Sequence, residues 1–165
     1  MKYLAFFLVA VLILFSIKQL QRDTMPIPSK SGTILAMGDS LTYGYKVPSH
    51  DSYPTHLTLL SGHKVINAGI NGETSEEGLR RLPGLLDDKS IKVMVLCLGA
   101  NDVLQRKSIV ALKSNLKKMI HMAKERNIKT LLIPVPNFTL FGLSDLELYE
   151  AIAKEEDVAL APSVL

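Results

Sequence analysis

Five short apolar runs, alternating with stretches of helical periodicity, constrain this chain more than any other feature. The runs are "TILAM" (33–37), "KVINA" (64–68), "IKVMVLCL" (91–98), "IKTLLIPV" (128–135) and "DVALAP" (157–162). Successive apolar, β-branched-rich positions predict strands covered on both faces, as in a parallel sheet. Between them, residues 108–126 bring Ile109, Leu112, Leu116, Met119, Ile120 and Ala123 to one helical face, with Asn127 as terminator. Lys113, Lys117, Lys118 and Lys124 occupy the opposite face, read as solvated. Thr74 and Glu77 have the spacing of a capping box, opening a helix through Leu79 and Leu82 that Pro83 should kink or end. Residues 144–156 give a further amphipathic helix with Leu146, Leu148, Tyr149 and Ile152, and Asp51 or Ser52 could cap one running through Leu57 and Leu60. The alternation predicts an α/β fold, a doubly wound three-layer sandwich on a five-stranded parallel sheet.

In such sheets ligands bind beyond the carboxyl ends of the strands, so the segments after each run deserve the closest reading. They hold Gly38-Asp39-Ser40, then "GINGETS" with Gly69, Asn71 and Gly72, then "GAND" with Gly99, Asn101 and Asp102, then Pro136-Asn137. Acyl transfer needs a hydroxyl with a base in reach and donors aimed at the developing oxyanion. Ser40 offers a nucleophile and its own N–H, Gly72 an N–H that a substrate can approach closely, Asn101 a side-chain amide, with Asp102 steadying its loop. Each piece alone also reads as a turn or a helix cap.

The blocks "GDSLTYGY", "NAGINGETSEEGLRRLP" and "LCLGANDVL" resemble the GDSL/SGNH hydrolase superfamily, in particular its small bacterial thioesterase, arylesterase and lysophospholipase branch. The resemblance runs from about residue 33 to the end and covers three of four signature blocks. It implies a flavodoxin-like fold and hydrolysis of small-molecule or lipid esters and thioesters through an acyl-enzyme, with no metal or organic cofactor. It makes Ser40 the nucleophile and Ser40 N–H, Gly72 N–H and the Asn101 side chain the oxyanion hole, with Asp39 and Asp102 in support. The fourth block, Asp-x-x-His after the fifth strand, supplies the base and its orienting partner. No Asp-x-x-His occurs in the 165 residues, whose histidines are His50, His56, His63 and His121. His50, beside Asp51 and ten residues after Ser40, is the nearest substitute, and the others read as surface or partly packed. Losing the histidine of a serine-hydrolase triad can cost on the order of 10⁶-fold in turnover. The expectation is therefore a weak or inactive hydrolase in domain 33–165, lacking its carboxy-terminal catalytic block and covering helix and exposing an apolar face. The alternative is a non-catalytic protein that binds acyl ligands or a partner on the same scaffold. A phosphate-binding, flavodoxin-like protein is the third reading, but neither glycine-rich phosphate-loop pattern is present.

The amino terminus is unlike the rest. Residues 1–22 hold an apolar stretch from Tyr3 to Ile17, suited to an export signal or uncleaved anchor and short of the ~20 residues a bilayer span needs. Residues 23–32, with two prolines, read as a linker. Export to the periplasm, or tethering to the inner membrane, is the expected location. The net charge of +3 arises in this region, where Lys2, Lys18, Arg22 and Lys30 face only Asp23. The remainder is neutral, which argues against a nucleic-acid partner. The lone Cys97, inside an apolar run, excludes a disulfide framework or cysteine-rich metal site and reads as a buried, inert thiol.

Overall fold

A computed structural model describes residues 32–135 and 145–161. The predicted leader and most of the predicted linker, with Pro136, Asn137 and the last four residues, lie outside them. Five strands, β1 (Thr33–Gly38), β2 (Val65–Gly69), β3 (Ile91–Cys97), β4 (Lys129–Leu132) and β5 (Ala159–Leu160), pair in parallel in the order β2-β1-β3-β4-β5. Six helices connect or flank them: α1 (Ser40–Tyr43), α2 (Tyr53–Ser61), α3 (Ser75–Leu85), α4 (Ala100–Leu104), α5 (Ile109–Glu125) and α6 (Asp145–Glu156). A 3₁₀ turn, Ser49–Asp51, precedes α2.

The strand order produces the layers. From β1 the chain crosses outward to β2 and then returns over β1 to β3. Right-handed crossovers therefore put α2 on one face and α3, α5 and α6 on the other. The contacts of α3 with α5, and of α5 with α6, follow from that arrangement. The order reverses between β1 and β3, the place where such sheets bind ligands.

Burial explains the apolar runs. β1 is buried at all six positions and β3 at every position but Lys92. The exposed apolar face expected from the sequence is thus not found on these central strands. Leu35, Met37, Met94 and Leu96 from the sheet meet Leu82, Leu112, Leu116 and Ile120 from the helices in a single core. At about 25 cal/mol per Å² of apolar surface removed from water, this continuous cluster is the main stabilising term.

Local expectations hold with specific differences. The capping box forms: Thr74 N donates to Glu77 Oε2 at 2.9 Å, and the Thr74 hydroxyl donates to the same oxygen at 2.7 Å. Those two bonds lower the Glu77 carboxyl below its ordinary value. Pro83 does not end α3, which runs on to Leu85. β4 is shorter than its apolar run because Pro134 has no N–H for the ladder; Ile133 N makes the last bond, to Leu96 O, at 2.9 Å. β5 is reduced to two residues. The lysine face of α5 is not simply solvated, because α6 lies alongside it. Lys113 and Lys117 reach Glu155 at 2.6 and 3.1 Å, and Lys117 and His121 reach Glu156 at 3.1 and 2.6 Å. Burial raises the Glu156 carboxyl, but its bonds to Lys117 and His121 outweigh that and lower it overall.

Candidate active site

The site is built from three loops at the carboxyl ends of β1, β2 and β3. After Gly38 the chain turns into α1, whose N-cap is Asp39. Asp39 is completely buried, and its Oδ1 accepts from Leu41 N at 3.0 Å. Ser40 is the first residue of α1, half-buried. Among the described residues its hydroxyl has no hydrogen-bond partner.

The second loop leaves β2 at Gly69. Ile70 N donates back to Gly38 O at 3.1 Å, and Glu73 N donates to Ile70 O at 3.2 Å, closing a tight turn. Gly72 occupies the position of that turn with φ +77°, a conformation that strains any residue with a Cβ. A Cβ built there meets nothing within 4 Å, so backbone conformation, not crowding, calls for glycine, and the space beside it is open.

The third loop leaves β3 at Cys97 and enters α4. Gly99 caps it with φ +132°, and a Cβ there would lie 2.3 Å from the Tyr149 hydroxyl, which donates to Leu98 O at 2.6 Å. Asn101 and Asp102 follow on the first turn. Asn101 Nδ2 donates to Glu73 O at 3.0 Å and to Asp39 Oδ2 at 3.3 Å, so one amide ties all three loops together. Asp102 is buried and accepts from Ser75 N at 2.7 Å and Ser75 Oγ at 2.6 Å; Asn115 Nδ2 donates to the same hydroxyl at 3.0 Å. The third loop is thereby locked to the start of α3.

Charge in this region is dominated by carboxylates. Burial raises the Asp39 carboxyl above its ordinary value, against the Leu41 bond and with Glu73 and Asp102 adding to the effect. Burial also pushes the Cys97 thiol up to about 12, the nearby Asp39 contributing, so it stays protonated and inert at neutral pH. Tyr53 is raised by burial as well, its hydroxyl paired with that of Thr42 at 3.3 Å. Among the described residues no group of three His, Cys, Asp or Glu side chains is placed to hold a metal ion.

The structure thus brings Asp39 into contact with Asn101, and Asn101 with the backbone beside Gly72, while Asp102 acts on Ser75. It does not bring a histidine to Ser40. His50 and His56 lie at the same edge of the sheet but face Asp51, at 3.6 and 3.9 Å, on the exposed side of the 3₁₀ turn. His63 follows α2 and precedes β2, and His121 is near the carboxyl end of α5, which feeds β4. Both therefore sit toward the amino-terminal edge of the parallel sheet, away from Ser40. Glu73, Arg81, Ser75 and Tyr149 are structural members of the site that the motif reading did not single out.

The chain is similar in sequence and in fold to known proteins. Residues 36–161 match the GDSL-like lipase/acylhydrolase family. The chain is 37% identical to an arylesterase of Vibrio mimicus over 144 residues, covering 82% of this chain and 72% of that protein. It is 34% identical to thioesterase 1/protease 1/lysophospholipase L1 of Escherichia coli K12 over 136 residues, covering 79% of this chain and 65% of that protein. The structure of AlinE4, an SGNH-hydrolase family esterase, superimposes with a TM-score of 0.74 at 30% identity, over 84% of this chain and 78% of that one.

Proposed function

Because the chain belongs to the GDSL-like lipase/acylhydrolase family, we propose that it hydrolyses carboxylic esters or thioesters, with Ser40 as nucleophile. The hydroxyl oxygen bonds to the acyl carbon and the carbonyl oxygen takes up negative charge. The alcohol or thiol then leaves, and water cleaves the acyl-serine to the free acid. The oxyanion is received by Ser40 N–H, Gly72 N–H and the Asn101 amide.

The supporting observation is the placement of the Asn101 amide between Glu73 O and Asp39 Oδ2. It puts a donor one residue from the nucleophile and one residue from Gly72. The 3.3 Å contact to Asp39 is the longer of the two and lies beyond the usual N–H···O range. An arriving oxyanion displaces that contact and keeps the bond to Glu73 O.

The proton on Ser40 needs an acceptor. Among the described residues no histidine pairs with the Ser40 hydroxyl, so an added base is given the part of proton acceptor. The test is chemical rescue. The full chain is incubated with a fluorophosphonate and, separately, with p-nitrophenyl butyrate, over a range of imidazole concentrations. The expected result is Ser40 modification and ester cleavage that rise with imidazole and vanish in Ser40→Ala. Tight acyl-ligand binding with no modification at any imidazole concentration would instead establish the second reading, a non-catalytic acyl-binding protein. Residues 1–22 tether the domain to a membrane on its exported side in this proposal, an assignment that rests on their apolar pattern.

A further inference from the structure

Arg81 and Glu73 make a contact that the proposed reaction does not use. Glu73 is buried, its side chain only 3% exposed, and Arg81 reaches it from the second turn of α3 with a side chain 24% exposed. The guanidinium donates twice, Nε to Glu73 Oε1 and Nη2 to Glu73 Oε2, each at 2.5 Å. The same Nη2 donates to Ala68 O at 2.6 Å. One planar group therefore grips both ends of the turn that contains Gly72: the last part of β2 on one side, Glu73 on the other. Burying an ion pair is a poor route to stability, since desolvation offsets most of the attraction. A fork that fixes two acceptors in one plane is, however, an effective way to hold geometry.

Glu73 also works through its backbone. Its carbonyl takes the shorter of the two bonds from Asn101 Nδ2, and its N–H closes the turn on Ile70 O. Any shift of Glu73 therefore moves the Gly72 N–H and the Asn101 amide together. We propose that Arg81 and Glu73 are positioning residues, a clamp that sets both non-nucleophile oxyanion donors through the turn that carries Gly72. The inference rests on the oxyanion role given above to Gly72 and Asn101.

The clamp predicts that the fork, and not charge alone, is required. The full chain and three variants are compared: Arg81→Lys, Glu73→Gln, and the double variant Glu73→Met/Arg81→Met, which removes both charges and leaves no buried ion unpaired. Two readouts are taken. One is the side-chain amide signal of Asn101 in ¹H–¹⁵N spectra, assigned by its loss in Asn101→Asp. The other is the imidazole-dependent rate of Ser40 modification by a fluorophosphonate, with melting temperature as control. Removal of one oxyanion donor costs about 10²- to 10³-fold in rate; the variants keep both donors and only loosen their placement, so the expected cost is smaller, roughly 10- to 100-fold. The Asn101 signal should shift in every variant, and Arg81→Lys should not restore the rate. Unshifted Asn101 signals in the folded double variant overturn the clamp, as does a rate that Arg81→Lys fully restores. If the unsubstituted chain shows no Ser40-dependent modification, the hydrolase reading fails by itself. The Asn101 signals then still decide the clamp, a shift in the variants supporting it and constancy removing it.

Discussion

Replacing Asp102 with alanine tests the lock between the second and third loops. Its carboxylate receives the backbone N–H and the hydroxyl of Ser75, at 2.7 and 2.6 Å, across 27 residues of sequence. Both residues are essentially inaccessible to solvent, so water cannot replace either bond. A hydrogen bond to a charged partner contributes about 1.5–3 kcal/mol net, and the two here go to the two oxygens of one carboxylate, so they do not simply add. Ser75 is the first residue of α3, where a negative charge gains a further ~0.3–1 kcal/mol from the helix dipole. Relief of the carboxylate's own desolvation offsets part of this. The expected loss is about 3–5 kcal/mol, a large share of the 5–15 kcal/mol typical of a domain. Urea unfolding of the full chain, followed by circular dichroism, should show the midpoint falling by about 2 M for a slope of roughly 2 kcal/mol per M. Ser75→Ala removes only the hydroxyl bond and leaves the backbone one. The cycle of Asp102→Ala with Ser75→Ala should therefore show coupling of about 1 kcal/mol or more. A loss below about 1 kcal/mol, or strict additivity, would refute the view that this carboxylate fastens the loops.

Asp39 supplies a pH test. Its folded carboxyl is raised above the ordinary value, chiefly by burial, so the native state holds this proton more tightly than the unfolded chain. The associated stability is fully present below about pH 3.9, the unfolded value, and is lost as pH rises through the raised one. Asp39→Asn should lack that decline, and urea midpoints measured from pH 3 to pH 8 that fall equally in both proteins would contradict it. The amino-terminal proposal is tested by alkaline carbonate extraction of cells expressing the full chain. Residues 3–17 acting as a tether keep the protein in the membrane pellet, and complete release to the supernatant removes that part of the reading.

The architecture was legible in the sequence because it depends on features repeated along the chain. Runs such as Leu35–Met37 and Val93–Leu98 are apolar at consecutive positions since both faces of the strand are covered, and Thr74 with Glu77 announces a helix start through local chemistry alone. Element ends were less legible. Pro134 shortens β4 by withholding a donor, whereas Pro83 is accommodated within α3. The lysines of α5 could not be assigned partners from their own periodicity, because Glu155 and Glu156 arrive on α6 about forty residues later.

The same division runs through the site, and it explains why the motif reading stopped where it did. Ser40, Gly72 and Asn101 stand out because each follows an apolar run at a position where a strand must end. Their surroundings do not stand out. Arg81 is one of two adjacent arginines on an amphipathic helix, and only the return of β2 alongside β1 decides that it, not Arg80, faces Glu73 and Ala68. Asp39 read as part of a turn and is in fact a helix cap, and its second oxygen also meets an amide 62 residues away. Residues such as Gly38-Asp39-Ser40 and Asn101 are polar or small directly after an apolar strand, which leaves a local pattern. Groups that hold them still are recruited from wherever the fold brings a donor and an acceptor together, and their spacing in sequence records only the topology. A search for positioning residues in this scaffold therefore begins with the partners of the Glu73 carbonyl and carboxylate, not with the motif itself.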